Sequence, residues 1–532
     1  MHLRLLLEKH NRLEPTAPRK ERIVLLASHE QPGANPSGYG QALAALNSGL
    51  AEIQQNHFLV APYKHLRSEW GRPRYNTPLP VKLHDGTNIP LVVEVIGEGA
   101  DSYLRVRHEI NDEYFSFDSY NRGAGTNLFE ANISGNYGGG NLTKAAEAFN
   151  LAIVEIARLL KAAIPDSTVL VHGHDHLTAL AVILSQQAGF LTAFTVHNPA
   201  YTTLASIQSL AMLGLADLVA LHSWGKDKAD LLALALAHAD VVSTVSETYA
   251  GVLANRGFAY GPTNVKYGEV LCERRGPQVI GIPNSLSRSI IAALSGEDFK
   301  PRIRTSLDQP VRILVPHRLA EQKGHHSFYD GQFGLNALKV LEAIGIKIEL
   351  TFLADNIGDT THPIAKALRD FRTAASRIRD DLVTTAEYGE ELFIRELAES
   401  DLVAQPSLFE PHGLAAVAAQ AATVIPVVTP IDGLYDTIGI KQWKATPFPV
   451  IGREIVGAPY GLFFQRSTPP HHKLTSEAFW VGLIEATRFV REKAAEIIPS
   501  RYVMRERALG YTPEKMAQQY VTQVYKPLFN RA

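Results

Sequence analysis

Residues 406–438, PSLFEPHGLAAVAAQAATVIPVVTPIDGLYDTI, set Glu410, Pro411, His412 and Gly413 just ahead of a run of small residues. The pattern predicts a helix from Leu414 to roughly Ala422, a short apolar strand over 425–428 and a turn over 429–433. A carboxylate and a glycine where a helix begins suit a sugar carrying a diphosphate. Unpaired backbone N–H groups there meet phosphate oxygens, and the carboxylate accepts hydrogen bonds from sugar hydroxyls. The plainer alternative is that Glu410 only caps the helix.

Arg318 and Lys323, in RLAEQKG, follow the apolar run that starts at Val311, and Gly324 with an expected helix comes next. Two fixed positive charges in this setting also suit a diphosphate. The planar guanidinium can hold two oxygens at once, and the ammonium supplies a point charge. Isolated basic pairs are usually just solvated. The expected place of this pair at the carboxyl end of a strand, in the same domain as Glu410, favours phosphate.

A histidine-rich stretch, His172-Gly-His174-Asp175-His176, sits where another strand should end. Ligands of open parallel sheets gather at that edge. Residues two apart on a strand share a face, so His172 and His174 raise a zinc reading. No later ligand cluster joins them, and structural or ligand-lining roles stand beside it; the reading adopted has no metal. His197-Asn198-Pro199-Ala200-Tyr201 follows a second apolar strand, which gives His197 and Asp175 the same sheet edge. Gly38 and Gly40, in PSGYGQAL, occupy the first strand-to-helix turn. They either admit a phosphate or sugar close to the backbone or simply make a tight turn.

These residues need α/β units to position them. RIVLLAS (22–28) reads as a buried parallel strand ahead of a helix from about Gln41 to Glu52. Strand-then-helix units recur at 168–172, 192–197 and 241–245, then from Val311 through 348–354, 382–385, 402–405 and 425–428. Such alternation predicts doubly wound sheets. The chain's 532 residues exceed one ordinary core. The expected division is a Rossmann-like domain over 1–285 with a hairpin insertion at 62–141, a linker at 286–310, a second Rossmann-like domain over 311–510, and a closing helix at 511–532 that crosses back to the first. A net charge of −2 offers no field for nucleic acid. The single cysteine, Cys272, excludes a disulfide framework and fits a reducing compartment. The first residues are too short and too charged for a secretory signal, and no segment reaches the ~18 apolar residues of a membrane span. A cytoplasmic protein is expected. The oligomeric state is not legible.

In family order, the motifs resemble those of bacterial glycogen synthases and plant starch synthases. HGHDHLTAL resembles HxHDWHTAL, HNPAY resembles HNLAY, RLAEQKG resembles RLTxQKG, and PSLFEPHGLAAVAAQAATVIPVV resembles PSxFEPCGLxQLxAMRYGTIPVV. LHDGT, NYGGG and ADVVSTVSETYA fit as well, so the likeness covers most of residues 22–465. It implies the GT-B architecture, two Rossmann-like domains facing across a deep cleft, and a retaining transfer of a sugar, glucose first of all, from an ADP- or UDP-sugar to a glucan or other acceptor hydroxyl. By position it implies that Arg318 and Lys323 bind the donor diphosphate, that Glu410 holds the transferred sugar, and that the N–H groups of Gly413 and Leu414 contact sugar or phosphate beside His412. His197, with Asn198 and Tyr201, would line the sugar pocket, and Asp175 would bind sugar or acceptor. No cofactor is implied.

The chain also departs from the pattern. The first turn has Asn35 where the family has lysine, and Gln41 where it has an acid; His412 stands in place of a cysteine. The altered first turn keeps a different acceptor, a small molecule or a protein side chain, as a second expectation. A binding protein without turnover is a third, and retention of Arg318, Lys323 and Glu410 argues against it.

Overall fold

The computed structural model describes residues 21–30, 38–63, 76–97, 102–110, 114–115, 139–219, 223–224, 227–255, 267–273, 279–302, 306–329, 332–439, 455–464 and 475–531. Asn35, the side chain of Cys272 and much of the 62–141 insertion lie outside them. The chain divides into two compact units, Met1–Ser285 with Pro513–Ala532, and Leu286–Thr512.

The first unit is built on a nine-stranded sheet. Its strands are β1 (Arg22–Ala27), β2 (His57–Pro62), β3 (Asn76–Pro78), β4 (Leu91–Ile96), β5 (Tyr103–His108), β6 (Thr168–His174), β7 (Leu191–Val196), β8 (Val241–Thr244) and β9 (Ile280–Gly281). The spatial order is β9-β8-β7-β6-β1-β2-β5-β4-β3. Pairings from β9 through β5 are parallel. RIVLLA is an unbroken apolar run after Arg22 because both faces of β1 are covered. Ile23, Leu25 and Ala27 join one core cluster, and Val24 and Leu26 join the opposite one. The expected hairpin insertion is more than an appendage: β3, β4 and β5 extend the main sheet, with antiparallel β4–β5 and β3–β4 pairs.

The closing segment belongs to this unit. It runs as a helix over Pro513–Tyr520, a wider π-type turn over Val521–Tyr525, and a last turn over Lys526–Phe529. Tyr520, Val524, Tyr525, Leu528 and Phe529 pack in the cluster beneath the Gly38–Glu52 helix. Burying Leu528 and Phe529 contributes about 1.5–3 kcal/mol each, which is what ties the tail down.

The second unit carries β10 (Val311–Pro316), β11 (Ile348–Ala354), β12 (Val383–Glu387), β13 (Leu402–Gln405), β14 (Ile425–Val428), β15 (Ile455–Ala458) and β16 (Gly461–Phe464). Their order is β12-β11-β10-β13-β14-β16-β15, parallel except for the β15–β16 pair. The stretch 286–310, expected as a linker, starts with a helix, Arg288–Ser295. Ile290 and Leu294 on one face of that helix are buried with Leu314 and Val417, so this part of the stretch is packed structure.

Candidate functional site

On the second unit, the loops after β10, β13 and β14 bring charged groups together. Those strands are neighbours in the sheet, so residues far apart in sequence meet at their carboxyl ends. The Lys323 ammonium pairs with Glu410 Oε2, and both side chains are nearly buried. Gln405 Nε2 also donates to that oxygen at 2.9 Å, and Ser407 Oγ does so at 3.3 Å. Glu410 therefore does not cap the helix. The N-cap of Leu414–Ala421 is Gly413, at φ 97° and with no side-chain cap.

Arg318 joins the cluster through one intermediary. Its Nη2 donates to Gln322 Oε1 at 3.1 Å, and Gln322 Nε2 donates to the Phe409 carbonyl at 3.0 Å. The Leu408 N–H returns a bond to the Gln322 carbonyl at 2.7 Å, so the two loops are stitched side by side. Gly324 makes that approach possible: at φ 70°, a Cβ there would collide with the Pro406 carbonyl. Buried His325 donates from Nε2 to the Arg318 carbonyl at 2.9 Å and braces the loop from within.

Sequence reasoning missed Asp355, just after β11. Burial and the Glu387 charge push its carboxyl up to about 6, and the Arg318 guanidinium partly offsets the shift. His412 is almost fully buried, and its Nδ1 has no hydrogen-bond partner. Burial drives its pKa down to about 4, against the pull of Glu410 and Asp436, so the ring is neutral at ordinary pH.

The first unit gathers imidazoles and one carboxyl group instead. Asp175, at φ 58°, turns its carboxylate back on the neighbouring loop. Its Oδ1 accepts the His197 N–H at 2.6 Å and the Asn198 N–H at 3.1 Å. Burial raises the Asp175 pKa to about 7, while those two bonds hold it back. His174 Nδ1 and His197 Nε2 share a hydrogen bond at 3.1 Å. Burial and the neighbouring histidines hold the His174 pKa well below the usual range, so the His174 ring is neutral at ordinary pH.

His172 is taken up structurally. Its Nδ1 meets the Tyr525 hydroxyl at 2.9 Å and its Nε2 the Thr195 hydroxyl at 2.7 Å. Among the described residues, no group of three or more His, Cys, Asp or Glu side chains is arranged to hold a metal ion. His176 bonds Thr203 Oγ1 at 2.8 Å and stacks on Tyr201 with ring centres 6.0 Å apart.

Gly38 and Gly40 lie inside the first turn of the Gly38–Glu52 helix, which starts earlier than its expected Gln41. A first turn has unpaired N–H groups in any sequence, so glycine is tolerated there. The turn carries Tyr39 onto the histidines. The Tyr39 ring stacks on His29 at 4.3 Å and meets His197 edge-on at 4.8 Å, and its hydroxyl donates to the His174 carbonyl at 3.3 Å. Tyr39 was another residue that sequence reasoning passed over, although it stands between the two glycines.

The structure thus brings Lys323 and Glu410 into contact, with Arg318 one residue removed, and gathers Asp175, His197 and Asn198 on the other unit. Two doubly wound units with ligand-type residues at their strand ends are the GT-B architecture. The starch synthase catalytic domain family model matches residues 22–265. Glycogen synthase 2 of Geobacter sulfurreducens is 25% identical over 449 residues, 78% of this chain and 84% of that protein. A glycogen synthase of Geotalea daltonii is 26% identical over 507 residues, 89% of this chain and 93% of its own. Among solved structures, the catalytic domain of starch synthase IV from Arabidopsis thaliana, bound to ADP and acarbose, superposes with a TM-score of 0.69 at 19% identity. That superposition covers 96% of this chain and 100% of that one. Sucrose-phosphate synthase from Thermosynechococcus elongatus shares the fold at a TM-score of 0.57 and 16% identity, covering 96% and 100%. The chain is thus similar to glycogen and starch synthases, with the family model confined to residues 22–265.

Proposed function

We propose that the protein transfers glucose from ADP- or UDP-glucose to a hydroxyl of a glucan, with retention at the anomeric carbon. The observation that carries this reading is the contact between Lys323 and Glu410, with Arg318 tied to the same loop, ahead of an uncapped helix N-terminus. The named relatives make glycogen synthesis the first acceptor chemistry to test.

In this reading Arg318 and Lys323 take the charge that develops on the leaving diphosphate, so no metal ion is required for that task. The N–H groups of Gly413 and Leu414 meet phosphate or sugar oxygens at the positive end of their helix. Glu410 accepts hydrogen bonds from the sugar hydroxyls and orients the ring; it is not a covalent nucleophile. Neutral His412 lies beside it and offers a hydrogen bond without adding charge. The acceptor oxygen attacks from the face of the departing phosphate, which takes up the acceptor's proton. On the first unit, His197, Asn198 and Tyr201 contribute to sugar binding. Asp175 acts there chiefly by fixing the His197 backbone. The single cysteine and the absence, among the described residues, of a helix long and apolar enough to cross a membrane are compatible with a cytoplasmic site of action.

The test is incubation with ADP-glucose and with UDP-glucose, glycogen as acceptor, in the presence of EDTA, with the new linkage followed by proton NMR. An α-linked product supports the reading. No transfer from either donor, or a β-linked product, overturns it.

A further inference from the structure

The loop that carries Glu410 is gripped from one side by the next helix, Asp432–Ile438. Residues 429–433 contain Pro430, Asp432 and Gly433, all turn formers, and were expected to make a turn. Instead Asp432 and Gly433 open the helix. Asp432 adopts φ 42°, in the left-handed region that disfavours side chains, and it is almost fully buried. An acid in a first helical turn commonly serves its own helix terminus. This helix has Ile431 as N-cap and no side-chain cap. The Asp432 carboxylate reaches across instead, and Oδ2 accepts the Glu410 N–H at 3.0 Å.

The other end of the Glu410 residue is held from the same turn. The Gly433 N–H donates to the Glu410 carbonyl at 3.0 Å. A Cβ on Gly433 would collide with the Pro411 carbonyl, so the two backbones touch. Thr437 Oγ1 adds a bond to the His412 carbonyl at 2.7 Å. Glu410 thus has its main chain fixed by Asp432 and Gly433 while its carboxylate is fixed by Lys323, Gln405 and Ser407. A buried acid held in an unfavourable backbone conformation needs a compensating contact. The bond to Glu410 is that contact.

We propose that Asp432 is a positioning residue for sugar transfer: by accepting the Glu410 N–H it sets where the Glu410 carboxylate meets the donor sugar. The proposal rests on the transferase reading above. It acts through Glu410, and no contact of Asp432 with substrate is invoked.

Two variants of the full chain separate the hydrogen bond from the backbone strain. D432G removes the carboxylate and relieves the left-handed conformation, so its melting temperature should equal or exceed that of the parent. Its kcat should nevertheless fall about tenfold or more, the scale of losing a buried hydrogen-bond partner. D432N keeps a side-chain carbonyl able to accept the Glu410 N–H and should recover most of that loss. Amide exchange of the peptide 406–412, measured without ligand, should quicken in D432G and stay near the parent rate in D432N. Parent kcat and parent exchange in D432G would overturn the proposal, as would D432N behaving like D432G. A parent protein that transfers no sugar would sink the transferase reading alone, because the exchange comparison still reports whether Asp432 holds Glu410.

Discussion

The two units place the same device under opposite kinds of chemistry. In each, an aspartate beyond a parallel strand takes a positive φ, is buried, and turns its carboxylate onto the backbone N–H of a candidate site residue. Asp175 does this for His197 and Asn198, and Asp432 does it for Glu410. Burial pushes both carboxyls up to about 7. What they position differs. The Asp175 loop presents imidazoles packed among aromatic rings, with His174 and His197 hydrogen-bonded to each other and Tyr39 against them. The Asp432 loop presents an ion pair, with a guanidinium one residue away. Imidazole and phenol rings suit sugar hydroxyls, whereas fixed cations suit a diphosphate. In the proposed reading, the larger electrostatic work of catalysis therefore falls to the second unit.

Mutation should show that asymmetry. Arg318→Ala or Lys323→Ala should each lower turnover at least about a hundredfold, the scale of deleting a preorganised charge contact worth ~2.7–4 kcal/mol. His197→Ala removes the ring hydrogen bond to His174 and should cost only about tenfold in kcat/KM. Equal losses on the two units, measured with the same donor and acceptor, would break the comparison. Arg318→Ala is the cleaner of the two cation variants, because Lys323→Ala also leaves Glu410 without its ionic partner in a nearly buried place.

A smaller effect tests the shared device. A carboxyl whose folded pKa is raised stabilises the fold fully below its unfolded value, and that contribution is lost as pH rises through the folded one. For Asp175 the window runs from 3.8 to about 7, and for Asp432 it is the same. Asparagine does not titrate. The melting temperature of D175N should therefore gain on that of the parent as pH rises through this window and hold a constant gap above it. A gap that stays flat from about pH 4 to about pH 8 would show that Asp175 ionises as an ordinary surface acid does.

Much of the scaffold was readable because its strands are covered on both faces. Runs such as IELTFLA over β11 and LVAQ over β13 are apolar enough to announce buried parallel strands, and once they are placed the ligand edge follows. Lys323 and Glu410 were legible on the same logic, since both follow strand ends. The direction of a side chain was not. Nothing in HGHDH tells that His172 will be spent on Tyr525, 353 residues away. Nor does it tell that Asp175 will face its neighbour's backbone. Turn-forming residues misled at 429–433, where the close approach of Gly433 to Pro411 requires a helix start rather than a free turn. The insertion was legible as hairpins, since its periodicity is visible in 81–106, but the sheet edge on which its strands pair was not.

The most direct measurement is isothermal titration of ADP and UDP into the parent protein and into Arg318→Ala. The account predicts that at least one nucleotide binds the parent and that its affinity drops sharply in the variant while both proteins melt at nearly the same temperature. A folded parent that binds neither nucleotide, or a variant that binds as tightly as the parent, would contradict it.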